Sequence, residues 1–156
     1  MSRVLVRLSL IIMAFIVWSV TSTPAYADGA AQIKDRQALM KSIGGKMKAI
    51  GGILKGKGKP ASIGAHTAEL AALAKKVGAA FPAGSGPDAG KTDSKPNIWT
   101  DQAAFNKIVA QLVSSTENLA KAGASGDLKA VGGAMGIVGK TACGTCHKTY
   151  RKKKEK

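Results

Sequence analysis

The sequence has few aromatic residues and few acidic ones. Phe, Trp and Tyr make up 4% of its 156 residues, whereas glycine alone fills 19 positions. Because aromatic side chains supply much of the buried area in an ordinary core, and small residues bury little, the chain is suited to closely packed helices. The scarcity of aromatics also suggests that something other than the chain's own side chains fills the middle of the fold.

The shortage of acids leaves the chain strongly basic, with 24 Lys and Arg against 9 Asp and Glu. Such a charge favours an acidic protein partner, an anionic membrane surface or nucleic acid. Nucleic acid is the least suitable of the three, because the few aromatics are not interleaved with lysines as a base-stacking platform requires. A solvated surface that keeps the protein soluble explains the charge equally well.

A long hydrophobic run spans residues 8–20, close to the N-terminus. It follows two arginines and precedes the small-x-small sequence AYA, which ends at Ala27, and this order is typical of a secretory signal peptide. The run is shorter than the roughly 20 residues that cross a bilayer, so we expect no stable membrane anchor after cleavage. We predict a cleaved signal peptide at 1–27, a mature domain at 28–156, and a location in the periplasm of a Gram-negative-type bacterium.

The sequence has only two cysteines, and both lie in the stretch TACGTCHKTY. Cys143 and Cys146 are three residues apart, and His147 follows directly. A disulfide is possible in an exported protein, whereas a thioredoxin-type redox motif needs a βαβ context and no strand pattern occurs. A zinc site needs further ligands, and the only other histidine is His66.

The fourth interpretation of this motif is covalent haem attachment, for which C-x-x-C-H is the established pattern. Cysteines three apart on a helix lie on one face, where two thioether bonds can reach the two vinyl groups on one porphyrin edge. His147 is then placed to ligate the iron as its proximal ligand. With an export signal and two cysteines in all, the motif predicts one haem c bound through Cys143 and Cys146.

Apolar residues recur every three or four positions in four stretches, which is typical of helices in a bundle. The predicted helices span about 33–54, 62–81, 98–122 and 128–152. The stretch PAGSGPDAGKTDSKPN separates the second helix from the third and predicts a long surface loop. Gly126 and Asp127 predict a turn and a helix N-cap. We predict an all-α fold, an antiparallel up-down-up-down four-helix bundle with covalently bound haem.

Three glycine pairs, at 44–45, 51–52 and 132–133, lie inside the predicted helices. Each glycine in a helix interior costs about 1 kcal/mol relative to alanine. The pairs are explained either by backbone that approaches another helix or a flat ligand closely, or by helices that are predicted too long.

The chain resembles the cytochrome c′ family, and specifically its low-spin cytochrome c-556 branch. The resemblance covers nearly the whole mature chain and rests on IKDRQALMKSIG, SKPNIWTDQAAF and GDLKAVGGAMGIVGKTACGTCHKTYRKKK. It implies a four-helix bundle with the haem among the helices, and a possible homodimer packed through the first two helices. It also implies that Arg36 approaches a haem propionate. Arg151 matches an arginine beside the proximal histidine, but is equally explained as one more solvated cation.

The resemblance further implies the ligand on the other side of the iron. The c′ branch has an apolar residue there that leaves the iron five-coordinate, whereas the c-556 branch has a methionine that ligates it, and the matching residue here is Met40. Helix geometry agrees, since Met40 lies about 12 Å into the first helix and His147 about 8 Å before the end of the fourth. Met47 lies beyond Met40 on the first helix, and Met135 lies well before His147 on the fourth. Neither is therefore as well placed as Met40 to ligate the iron. The alternative is that Met40 is a core residue.

These features predict a periplasmic one-electron carrier, not an enzyme, whose lysines attract an acidic redox partner protein. Its axial ligands are His147 and Met40, and no nucleic acid is involved. The first alternative is a five-coordinate c′-type protein that binds nitric oxide or carbon monoxide. The second is a haem peroxidase, for which His66 is the only candidate distal base. A purely structural bundle leaves C-x-x-C-H unexplained.

Overall fold

The computed structural model describes residues 28–153, and most of them are helical. The predicted signal peptide at 1–27 lies outside the described residues. Within the described part, no helix is both long enough and apolar enough to cross a membrane. Four long helical rods pack antiparallel to one another, so the predicted all-α four-helix bundle is confirmed.

The rods differ in length and regularity. The first two are α1, Gly29–Leu54, and α2, Ile63–Ala74. A short helix, α3, Asn97–Thr100, precedes the third rod, α4, Gln102–Ser125. The fourth rod has three successive segments: α5, Leu128–Ile137, a π-helical segment, Val138–Gly144, and α6, Thr145–Tyr150. α2 packs against α1 and α4, and α4 packs against α5.

Aspartates fix the starts of three rods. The side chains of Asp28, Asp101 and Asp127 each accept hydrogen bonds of 2.9–3.2 Å from backbone N–H groups two or three residues later. A cap of this kind contributes about 1 kcal/mol to helix stability. Gly126 ends α4 with a φ of 72°, in the left-handed region that glycine adopts without strain. The predicted turn and cap at residues 126 and 127 are therefore confirmed.

Three predicted helix boundaries are wrong. The second helix ends at Ala74 and does not reach Phe81, because the chain leaves the helix and turns the Phe81 ring onto Phe105. The third is broken at Asp101, whose φ of −129° and ψ of 64° are not helical and whose side chain caps α4. The fourth ends at Tyr150, because the next residue is extended, with φ −112° and ψ 137°.

The four aromatic residues of the described part form one cluster, at the end of the bundle where α6 ends. The Phe105 ring is central, with its centroid 4.9 Å from that of Phe81 and 5.3 Å from that of Tyr150. Phe81 in turn lies 6.2 Å from Trp99. Elsewhere the most deeply buried large side chains are aliphatic: Ile50, Leu70, Leu119, Val131 and Val138. The aromatic side chains of residues 28–153 are thus concentrated at one end.

The closest approach between helices involves glycines of α2 and α4. A Cβ atom on Gly123 would overlap the Thr67 hydroxyl and lie 2.9 Å from the Thr67 Cβ. A Cβ on Gly64 would lie 3.3 Å from the Gly123 carbonyl oxygen. The three predicted glycine pairs do lie inside helices, but five of their six members have no neighbouring atom within 4 Å of an added Cβ. The helices were therefore not predicted too long there, and the glycines that permit close packing are different ones.

The predicted surface loop between α2 and α3 is anchored by a buried arginine of α1. Arg36 is 3% exposed, and its two Nη atoms donate hydrogen bonds of 3.0–3.2 Å to the Ala80 carbonyl, to the hydroxyl and carbonyl of Ser85, and to the Thr92 hydroxyl. The guanidinium also lies 4.7 Å from the centroid of the Phe81 ring. Ser85 and Thr92 are buried with it, so this loop is partly a core element.

The same loop pairs with the end of α6. The Lys95 N–H donates to the Tyr150 carbonyl at 2.9 Å, and the Lys152 N–H donates to the Asp93 carbonyl at 2.7 Å. The two segments form a single antiparallel β-bridge at this point. The loop is thus held on one side by α1 and on the other by the chain end.

The packing of α2 on α4 predicts opposite effects of two Gly→Ala substitutions. Gly123→Ala should lower the free energy of unfolding by about 1–3 kcal/mol, because the new methyl group overlaps Thr67. Gly133→Ala, at an exposed position of α5 with free space around it, should raise it by about 0.5–1 kcal/mol through helix propensity. Urea unfolding followed by circular dichroism measures both. Shifts of the same sign would contradict the close contact.

The Arg36 contacts predict that this side chain stabilises the loop. Arg36→Leu leaves its buried acceptor oxygens without a donor and should lower the free energy of unfolding by about 2–4 kcal/mol. It should also speed protease cleavage within residues 82–95. Arg151→Leu removes the same charge from an exposed position and should change stability by less than about 0.5 kcal/mol. Equal losses in the two variants would show that charge, and not the loop contacts, matters.

Candidate haem site

Two adjoining cavities occupy the aromatic end of the bundle. One, the bundle-side cavity, has a volume of about 360 Å³. The other, the loop-side cavity, has a volume of about 450 Å³. Four residues border both cavities: Met40, Cys146, His147 and Arg151. The end of the fourth rod and the first turns of α1 therefore form the boundary between the two spaces.

The bundle-side cavity brings together the residues that the sequence predicts to attach and ligate a haem. Met40 borders it from α1, Cys143 from the π-helical segment, and Cys146 and His147 from α6. The rest of its wall is largely apolar: Ile43, Val77, Ile108, Val109, Leu112 and Ala142. An apolar wall with a few sulfur and nitrogen donors at its border is suited to a flat macrocycle that carries a metal.

The loop-side cavity has a different, more polar wall. It is bordered by Arg36, Gln37 and Lys41 of α1 and by residues 92–94 of the loop. Three rings of the aromatic cluster complete it: Phe81, Phe105 and Tyr150. The loop residues Thr92 and Asp93 were not singled out in the sequence, because a stretch without periodicity gives no signal of which side chains turn inward.

The π-helical segment positions the first cysteine. It ends at Gly144 and so includes Cys143, the first residue of the C-x-x-C-H sequence, while Val138 and Ala142 stay fully buried within it. π-helical turns occur frequently at functional sites, where they redirect side chains without ending the helix. In this segment Val138 and Ala142 continue the buried face of α5. Cys143 lies in the same segment and borders the bundle-side cavity.

The two thiols are free and half-buried in the structure. Burial raises the pKa of the Cys143 thiol. Burial, together with the neighbouring Cys143, raises the pKa of Cys146 to about 11, and the charge of Arg151 only partly opposes this. Both groups are therefore protonated at neutral pH, unlike the thiolate of a disulfide oxidoreductase.

Zinc binding has no complete ligand set. Within residues 28–153 no three His, Cys, Asp or Glu side chains cluster closely enough to hold a metal ion. His66, the other histidine of the sequence, lies on α2 and borders neither cavity. Neither a second zinc motif nor a distal base for a peroxidase is therefore present at the site.

His147 has the properties of an iron ligand. Partial burial, and then the charge of Arg151, lower the pKa of its imidazole. The ring is therefore neutral at neutral pH, which is the form that binds metals. Arg151 itself is exposed and borders both cavities, so it lies near the histidine as the resemblance implied.

Three methionines of the described part differ in their relation to the cavities. Met40 borders both, Met47 borders only the bundle-side cavity, and Met135 borders neither. The Met135 methyl group instead lies near Gly51 of α1, where an added Cβ would be 3.4 Å away. A role for Met40 as a ligand remains a prediction, and its location is the one such a role requires.

Arg36 borders the loop-side cavity, as a residue that meets a haem propionate would. However, its four Nη hydrogens are already used by loop acceptors. The Nε–H is the donor left for a carboxylate, unless the loop contacts are shared. The propionate role thus stays a prediction, and holding the loop is the role that the structure itself displays.

The residues at the site fit one covalent haem. Two thiols, an imidazole and a thioether border an apolar cavity, and a buried cation borders the polar one next to it. This donor set matches the thioether attachment, the axial ligands and the carboxylate edge of haem c.

Comparison with known proteins identifies the family of the chain. The family model described as Cytochrome C' matches residues 31–151. Cytochrome c' from Allochromatium vinosum is 34% identical over 125 residues, which are 78% of this chain and 80% of that protein. Cytochrome c-556 from Agrobacterium tumefaciens is 34% identical over 128 residues, 80% of this chain and all of that protein.

Solved structures show the same architecture. A nitric oxide complex of a cytochrome c prime variant from Alcaligenes xylosoxidans superposes with a TM-score of 0.75 at 30% identity, covering 83% of this chain and 99% of that one. A ferrous variant of the same protein with bound NO gives a TM-score of 0.74 at 29% identity, with the same coverage. Proteins of this family bind one covalent haem c, and this chain supplies the two cysteines that such attachment requires. The chain therefore belongs to the cytochrome c′ family.

Proposed function

We propose that this protein is a one-electron carrier of the bacterial periplasm, with His147 and Met40 as the axial ligands of its haem iron. The observation that carries the proposal is the wall of the bundle-side cavity, which includes Met40, Cys143, Cys146 and His147 together. The resemblance to the cytochrome c-556 branch implies a methionine ligand at this place, and proteins of that name are among the relatives of this chain. A methionine here favours a haem iron whose sixth coordination position is occupied by the protein.

Each residue has a distinct part in this proposal. Cys143 and Cys146, both half-buried on the fourth rod, would form the two thioether bonds. His147 supplies a neutral imidazole nitrogen, and Met40 a soft thioether sulfur that favours ferrous iron and so raises the reduction potential. When bound, the haem supplies a reversible change between ferric and ferrous iron. Because both ligands belong to a packed bundle, little rearrangement accompanies that change.

The proposal describes a carrier and not an enzyme. Turnover of peroxide would require a distal base near the haem, and His66 lies away from both cavities. The export signal in the sequence supports a periplasmic location, where haem c proteins exchange electrons with other proteins.

A second candidate function is the binding of nitric oxide or carbon monoxide. It is favoured by two structural neighbours whose solved forms hold nitric oxide. This function requires that the sixth position be open or that the methionine be easily displaced, so the two candidates differ in a property that can be measured directly.

The ligation proposal predicts how the holoprotein responds to carbon monoxide. The ferric protein should show the weak long-wavelength absorption band of a methionine–iron bond, and the ferrous protein should bind carbon monoxide poorly. Met40→Ala should abolish the band and raise carbon monoxide affinity about tenfold or more, because the gas no longer competes with a bound ligand. Absorption spectra during a carbon monoxide titration measure both effects.

Met47→Ala is the matched control, since it removes the same side chain one heptad further along α1. It should leave the band and the affinity nearly unchanged. A high-spin parent protein that binds carbon monoxide as readily as the Met40→Ala variant would refute the methionine ligand. Gas binding would then be the better account of the protein.

A further inference from the structure

Six cations lie either at the border of the loop-side cavity or on the two segments that meet beside it, and they form what we call the basic rim. Lys41 and Arg151 border the cavity itself. Four others lie on the two segments that meet beside it, within residues 91–95 and 152–153. The members of the basic rim are Lys41, Lys91, Lys95, Arg151, Lys152 and Lys153.

The β-bridge is what joins these cations into one surface. Lys91 and Lys95 are about 60 positions before Lys152 in the sequence. The bonds from Lys95 N–H to the Tyr150 carbonyl and from Lys152 N–H to the Asp93 carbonyl bring the two segments side by side. A charge cluster that depends on long-range backbone pairing is therefore a feature of the fold, and not a run of basic residues in sequence.

The positive charge of the basic rim is little neutralised. The two ion pairs formed within residues 28–153 are Lys46 with Glu69 and Lys75 with Glu117, and neither involves a rim residue. Asp93 is the acid that borders the loop-side cavity. Buried Arg36 adds a further positive charge behind the rim, and its hydrogen-bond acceptors are neutral.

The chemistry of the basic rim favours an acidic protein over a lipid surface. Stable attachment to a bilayer interface normally combines basic residues with apolar side chains that insert among the lipids. The strongly exposed large hydrophobic residue of the described chain is Ile137, on α5 and outside the rim. A rim of solvated cations instead provides long-range attraction with weak final binding, which suits a partner that must leave again.

We propose that the basic rim is the docking surface for the acidic face of a redox partner protein, seated over the loop-side cavity. This inference rests on the proposed function as an electron carrier and specifies where exchange takes place. One electron passes from the reduced partner to the ferric protein, so the partner is oxidised and this protein is reduced, and no bond forms or breaks. The partner approaches beside His147, whose side chain borders that cavity.

Two charge-reversal variants test the location. The rim variant carries Lys91→Glu, Lys152→Glu and Lys153→Glu, all at exposed positions. The control variant carries Lys55→Glu, Lys57→Glu and Lys59→Glu, also exposed but in the connection after the far end of α1. Both lose the same net charge, so they differ only in where the charge is reversed. None of the six residues is proposed to hold the haem.

The measurement is the stopped-flow rate at which each ferric holoprotein is reduced by fully reduced flavodoxin, an acidic protein. The parent rate should fall steeply as salt rises. At low salt the rim variant should react at least about tenfold more slowly than the parent, and the control variant within about threefold of it. Equal slowing of both variants would overturn the proposal, because overall charge alone would then explain the rate.

A cationic reagent separates failure of the docking surface from failure of the carrier function. The ferrous proteins are oxidised by tris(phenanthroline)cobalt(III), which gains one electron, and the rim variant should react as fast as the parent or faster. A parent protein that exchanges electrons with neither reagent would refute the carrier function itself. Normal exchange with both reagents but no difference between variants would refute only the basic rim.

Vesicles test the lipid alternative. Sedimentation with vesicles of phosphatidylglycerol and phosphatidylcholine should leave most of the parent protein in solution at physiological salt. Strong binding by the parent and the control variant, lost in the rim variant, would overturn the proposal in favour of a membrane surface.

Discussion

A buried guanidinium surrounded by neutral oxygen acceptors determines the shape of the cavity end of this bundle. Arg36 reaches out of α1 to the carbonyl and hydroxyl groups of a loop more than 40 positions away in sequence, and it lies over the Phe81 ring. Its burial lowers the pKa of the side chain, and hydrogen bonds from a charged donor offset part of that desolvation. These bonds hold the loop against α1, together with the hydrogen bond from the Gln37 side chain to the Lys91 carbonyl, and so help to form one wall of the loop-side cavity.

The two ends of the bundle are packed in different ways. Towards the far end, aliphatic and small residues pack helix against helix, most closely where Gly123 of α4 meets Thr67 of α2. At the site end, the aromatic rings of Phe81, Trp99, Phe105 and Tyr150 form a cluster beside two cavities. The sequence suggested that something else must fill the middle of a chain poor in aromatics. In the structure the space for such a group lies at one end of the bundle, beside the cysteines.

Sequence reasoning succeeded where a short-range pattern carries the information. Apolar spacing identified four rods, Asp127 identified a cap, and C-x-x-C-H identified the attachment of a haem, because each depends on residues within a turn or two of one another. It failed at Asp101 and Ala74, where tertiary packing of Trp99 and Phe81 overrides a continuing apolar pattern. It also missed the inward-facing Ser85 and Thr92, since their partner Arg36 lies far away in the chain. The π-helical turn has no known composition signal and could not be foreseen.

The pairing of the chain end with the loop has a consequence for how the molecule assembles. The rods are stabilised largely by local hydrogen bonds, whereas the site end depends on contacts between residues 49 to 56 positions apart at Arg36 and still further apart at Lys152. Bringing distant segments together costs chain entropy that local contacts do not. That cost falls mainly on the end that carries the cysteines. We therefore expect the site end to close late in folding, when Lys152 pairs with Asp93 of the loop.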